Sequence, residues 1–213
     1  MPQSDVAPVT PTPTPGRPLR ADARRNHARI LAAAEAAFAR DGADASLEEI
    51  ARQAGVGSAT LHRHFASRRA LLEAVFRSQV EALCAGAWDL ADDDDPGRAL
   101  VVWLRAVGAR AAASRGLAAS MLREDRDGAP TQARDDTCHD MIIAAGSVLL
   151  RRARAADAVR PEVSIADLLT LVDAISLETE HDPDGTAKAD RLLTLIIDGI
   201  RPRADEATGS YTH

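Results

Sequence analysis

Aromatic residues are scarce in this chain, with three phenylalanines, two tryptophans and one tyrosine among 213 residues. Any apolar pocket among its middle helices therefore has Trp103 as its one large aromatic candidate. Cysteine is nearly absent too. Cys84 and Cys138 both fall in predicted helices and share no CxxC or metal-ligand spacing, which excludes a disulfide scaffold and a zinc module. Both read as small buried apolar groups in a reducing, cytoplasmic setting. The six histidines form no H-E-x-x-H set, and His139 between Cys138 and Asp140 is the weakest of metal hints, so no metal or cofactor is expected. No segment alternates apolar and polar residues as a half-buried strand does, which leaves an all-α fold of about nine helices. No basic start is followed by an apolar run, so neither a signal peptide nor a membrane partner is expected.

What the chain does have is concentrated in residues 46 to 69, SLEEIARQAGVGSATLHRHFASRR. Ser46 and Glu49 form the pattern of a capping box, which starts a helix. Leu47, Ile50, Ala51 and Ala54 then fall on one apolar stripe, with Glu48, Arg52 and Gln53 outside. Gly55 stands where a helix ends in left-handed backbone. Ser58 is placed to cap a second helix. In it Leu61 and Phe65 face the core, and Ala59, Thr60, His62 and Arg63 face outward. None of the outward residues is acidic, as a helix lying in a DNA major groove about 12 Å wide requires. Ser67 caps a third helix, whose free amides and the guanidiniums of Arg68 and Arg69 point where a phosphate would sit.

The string A-G-V-G-x-x-T-L-H-x-H-F-x-S-R-x-A-L, Ala54 to Leu71, resembles the DNA-binding domain of the TetR family of one-component bacterial repressors. The resemblance covers roughly residues 22 to 76. It implies that Ser58, Ala59 and Thr60 open the recognition helix near bases or phosphates. The chain has His62 where the family usually has tyrosine and Arg68 where it usually has lysine, while His64 matches as it stands. Both departures keep a hydrogen-bond donor, so the resemblance keeps His62, His64 and Arg68 among the DNA-contacting residues, with Ser46 and Arg63 beside them.

Charge divides the chain. Residues 17 to 69 contain ten arginines and six acids, a balance of +4, whereas residues 70 to 213 carry 16 basic and 25 acidic side chains, a balance of −9. A basic module draws in a polyphosphate, and an acidic body limits nonspecific sticking. Residues 1 to 19, rich in proline and small polar residues, read as a disordered tail, and 202 to 213 as another. Arg17, Arg20, Arg24 and Arg25 then form a flexible arm of the kind that enters a minor groove. The helix-turn-helix domain spans 20 to 66, its first helix running from about Asp22 to Arg40 with Ile30, Ala34, Ala37 and Phe38 buried.

The remaining residues, 67 to 201, read as a helical ligand-binding and dimerisation domain. A long helix from Ser67 to about Leu90 bridges the two parts. The following helix breaks near Gly116, a short helix carries Leu117, Met121 and Leu122, and Arg123 to Pro130 is a polar loop. The last two helices carry Ile165, Leu168 and Val172, then Leu192, Leu193, Ile196 and Ile197. The family resemblance implies that such helices join two copies in a four-helix bundle. It also implies a pocket among the middle helices, for which Trp103, Met121, Met141 and Ile142 are candidates and a hydrophobic molecule the expected ligand. The function expected is a homodimeric repressor that binds a palindromic operator and is released by a small molecule, not an enzyme. The alternatives are an architectural DNA-binding dimer without a ligand, and a helical enzyme using His62 or His64 as a base. Those histidines, which would need Asp or Glu partners, sit two apart on a short helix beside no predicted pocket, and no nucleophile or cofactor loop accompanies them, which disfavours the enzyme.

Overall fold

A computed structural model describes residues 16–124, 132–180 and 182–202, with side chains described for 21–42, 44–113, 137–180 and 182–202. The helices are α1 (Gly16–Asp41), α2 (Leu47–Gln53), α3 (Ser58–His64), α4 (Arg68–Asp89), α5 (Pro96–Glu124), α6 (Gln132–Ala155), α7 (Ile165–Glu178) and α8 (Gly185–Gly199). Single 3₁₀ turns occupy Gly42–Asp44 and Leu90–Asp92, and no strand occurs among the described residues. The described residues hold eight α-helices where about nine were expected, because α5 continues through Gly116 and takes in the expected short helix. One glycine costs a helix only about 1 kcal/mol, and the alanines around it favour continuation. The expected loop is described only as far as Glu124, in α5; the rest of it, like residues 1–15 and 203–213 of the expected tails, lies outside the described residues.

At its other end the helical layout also exceeds expectation. The first helix starts at Gly16 instead of Asp22, so Arg17, Arg20, Arg24 and Arg25 belong to α1 and not to an extended arm. Pro18 permits this, since proline in a first turn fixes a helical φ and gives up an amide that has no partner there.

Two cores result. The first gathers Ile30, Ala34 and Phe38 of α1, Ile50 of α2, and Leu61 and Phe65 at α3. The second surrounds Trp103 and is built from α4 to α8. Helix α4 serves both, giving Leu71, Leu72 and Val75 to the first core and Leu83 and Ala87 to the second. With each buried leucine stabilising by about 1.5–3 kcal/mol, α4 is held at both ends and acts as a strut about 33 Å long.

Trp103 is central to the body rather than to a pocket. Its side chain is fully buried and its indole N–H donates to the Leu83 carbonyl at 3.0 Å. Gly146 on α6 lies flat against the ring, where an added Cβ would come within 2.6 Å of two ring carbons. Helix α7 begins at Ser164, whose hydroxyl accepts from the Asp167 amide at 3.1 Å while the Asp167 carboxylate accepts from the Ser164 amide at 3.3 Å. That box orients Ile165, Leu168 and Val172 into the protomer's own core, together with Leu193 and Ile197 of α8. These five are therefore not available to a second subunit, contrary to expectation, and Leu192 and Ile196 are only half exposed. The large apolar side chains that the two helices expose are Leu171, Leu177 and Leu195.

Candidate nucleic-acid interface

The two short helices form as their caps dictate. Ser46 Oγ accepts from the Glu49 amide at 3.4 Å and so opens α2. The return half of the box is absent, because Glu49 instead accepts from Arg52 Nη2 at 2.6 Å and Gln53 Nε2 at 2.7 Å. Those bonds, Arg52 first, hold the Glu49 carboxyl down to about 2. Gly55 then takes φ +63, the left-handed backbone that ends the helix. Gly57, not Ser58, is the N-cap of α3, since its extended backbone already presents its carbonyl to Thr60 and Leu61. Ser58 is thereby freed from capping and stands exposed in the first turn.

Along α3 the outward set falls where helical rotation puts it. Leu61 and the following Phe65 are buried, Ser58, Ala59, His62 and Arg63 are exposed, and Thr60 is half-buried. Arg63 Nη2 donates to Thr60 Oγ1 at 2.9 Å, which aligns a guanidinium and a hydroxyl on one ridge. The far end of α3 is fixed from α1: the His27 ring stacks on Phe65 with centroids 4.9 Å apart and lies 5.8 Å from the half-buried His64. Burial, then the nearby His64, pushes the His27 imidazole below its ordinary range.

The basic residues expected at phosphates divide. Arg24 is exposed on α1, and Arg25 is exposed too but pairs with Asp22. Arg68 turns inward: it donates to the Ala45 carbonyl at 2.6 Å and lies 5.4 Å from the centre of the Phe38 ring. Arg69 follows its own helix, donating to Glu73 at 3.1 Å. The start of α4 keeps its Ser67 cap, with the hydroxyl accepting from the Ala70 amide at 3.1 Å. Sequence reasoning overlooked Arg29, whose guanidinium reaches over the Gly55 turn, 3.6 Å from where a Cβ would sit. Its spacing of four from Arg25 on α1 was the signal.

Beyond this face, a cavity of about 450 Å³ opens between α4, α5 and α6. Of the expected lining residues whose side chains are described, Ile142 alone lines it; Trp103 is core, Met141 is half-buried with its carbonyl accepting from the Cys84 thiol at 3.5 Å, and the Met121 side chain lies outside the described residues. A larger hollow of about 670 Å³ lies around Gly97 and Ile200. From Gly97 to Arg110, an α5 residue that pairs with Glu35 of α1, the helix rises roughly 20 Å, so the larger hollow is the one farther from the DNA-binding module. Among the described residues no group of three or more histidine, cysteine or acidic side chains is placed to hold a metal. No helix among them is long and apolar enough to cross a membrane.

A capped helix, a glycine turn and a second helix with an acid-free outer ridge, joined by a strut to a helical body, define a helix-turn-helix transcriptional regulator. Residues 30–75 match the model of bacterial regulatory proteins of the tetR family, and residues 95–202 match the SbtR-like transcriptional regulator C-terminal domain. A TetR transcriptional regulator from Streptomyces coelicolor is 37% identical over 84% of this chain and 99% of its own, with a TM-score of 0.74. A TetR regulatory protein from Mycobacterium vanbaalenii is 32% identical over 87% and 100%, with a TM-score of 0.69. The search of curated proteins gave no match. The chain belongs to the TetR family of bacterial transcriptional regulators.

Proposed function

We propose that this regulator is a homodimeric repressor that binds a palindromic operator in double-stranded DNA and is released by a small molecule. The observation that carries the DNA reading is the outer ridge of α3, where Ser58, Ala59, Thr60, His62 and Arg63 stand without an acidic neighbour on that helix. Thr60 and Arg63 read bases, Ser58 and His62 flank them, and Ser46, Arg24 and Arg25 meet phosphates at the edges. His64 steadies the end of α3 against α1. Arg68 acts from beneath, by fixing the start of α4 to Ala45.

The dimer reading rests on α7 and α8, which expose Leu171 at 41%, Leu177 at 67% and Leu195 at 63%. Three large apolar side chains on neighbouring helices are what a second copy covers in a helical bundle. Twofold symmetry then sets two α3 helices about one DNA turn apart, ~34–36 Å. Selection of bound sequences from a random DNA pool by the purified protein is the test. A near-palindrome with half-sites one turn apart is the expected result, and recovery of no consensus sinks the operator reading.

A further inference from the structure

Glu35 is an acidic residue on the DNA-binding module that faces the body. From α1 it pairs with Arg110 of α5 and accepts from Gln79 Nε2 of α4 at 3.2 Å. Arg110 and the buried Gln79 also line the 450 Å³ cavity, whose apolar wall includes Phe76, Val80, Val107 and Ile142. The same guanidinium thus borders an apolar cavity and holds a carboxylate of the DNA-binding module. Its present partner shows what it binds, since a guanidinium fork can donate to a carboxylate in two parallel hydrogen bonds. The pair is weakly held: the Arg110 side chain is 35% exposed and that of Glu35 41%, and solvent screens such pairs. An incoming carboxylate that also buried an apolar chain would add a gain Glu35 cannot match.

We propose that the cavity takes an amphiphile with an apolar chain and a carboxylate head, and that the head displaces Glu35 from Arg110 and so loosens the polar tie between α1 and α5. This rests on the reading of the chain as a ligand-released regulator and names the ligand's chemistry. It also adds a charged head to the hydrophobic ligand expected from the sequence. Asp173 puts a carboxylate on the cavity wall as well, so an anionic head is favoured only against Arg110. Displacement rather than simple filling is what couples the sites, because a ligand shifts an equilibrium only by its differential affinity for the two states.

Decanoate and decan-1-ol, which share a chain and differ in the head, make the test by calorimetric titration of the full-length protein without DNA. Wild type is expected to bind decanoate about tenfold more tightly than the alcohol, the scale of one charge-assisted pair. Glu35→Gln removes the competitor and should tighten decanoate while leaving the alcohol unchanged. Arg110→Met should erase the preference. If that variant fails to fold, Glu35→Gln carries the test alone, since it alters only a half-exposed head group. Equal affinity of wild type for the two probes, or an unchanged decanoate affinity in Glu35→Gln, overturns the proposal. These titrations need no operator, so failure of the operator reading leaves them intact, and their failure leaves operator binding intact. With the selected operator in hand, saturating decanoate should weaken the wild-type complex about 5- to 150-fold, and an unaffected complex overturns the release step.

Discussion

The DNA-binding module and the helical body bury apolar side chains by opposite routes. In the module, α2 and α3 are so short that Ile50, Ala51 and Leu61 are their buried residues; the Ser46 cap and the left-handed Gly55 bound α2, and His27 stacks on Phe65 at the far end of α3. In the body, α7 alone buries Ile165, Leu168, Leu169 and Val172, yet it exposes Leu171 and Leu177 on its other side. A short helix with one apolar stripe has one way to face. A long helix that is apolar most of the way round takes its orientation from its neighbours. The module's surfaces are therefore set locally and the body's by packing, and α4 joins the two.

The sharpest break in this comparison is expected at Trp103. Trp103→Ala should cost the body about 3–5 kcal/mol in denaturant unfolding, because the cavity left in a close-packed core only partly collapses. Were the loss below about 1 kcal/mol, Trp103 would be a pocket residue after all and not the centre of the second core. Next in size is Leu195→Asp, which should weaken the proposed dimer by about 2 kcal/mol or more in sedimentation while leaving the protomer's fold intact. A dimer as tight as wild type would move the interface off α7 and α8.

Arg68→Met tests the module. Loss of the bond to the Ala45 carbonyl and of the contact with Phe38 should lower stability by about 1–3 kcal/mol, with the salt dependence of DNA binding little changed. A salt slope shallower by about one unit with stability intact would restore Arg68 to the phosphates. The smallest effect concerns pH. The folded His27 imidazole lies below its unfolded value of 6.5, so the unfolded chain binds the extra proton first and stability falls as pH drops below about 6.5. The melting temperature of wild type should accordingly fall more between pH 7.5 and 5.5 than that of His27→Gln. Parallel curves would mean that the stack of His27 on Phe65 is indifferent to charge.

The sequence made the module legible because its signals are chemical and local. Ser46, Gly55, Leu61 and Phe65 each do in the structure what their residue type and spacing require. The differences there have two sources: Ala45 and Phe38, remote in sequence, draw Arg68 inward across more than twenty residues, whereas at α3 the backbone of the adjacent Gly57 takes the capping place assigned to Ser58. In the body, the helices and the Ser164 cap were readable, but which face of α7 turns inward was not. That choice depends on Trp103, Gly146 and α8, which no periodicity along α7 encodes. Glu35, Arg110 and Gln79 lie on three helices and meet only once the two cores are assembled.

Comparing the operator selected from random DNA by wild type with that selected by Arg63→Ala tests the claim that the α3 ridge reads sequence. A palindrome that persists but loses preference at one position in each half-site, by about 1–3 kcal/mol, is the predicted result. An identical consensus from the two proteins would contradict it.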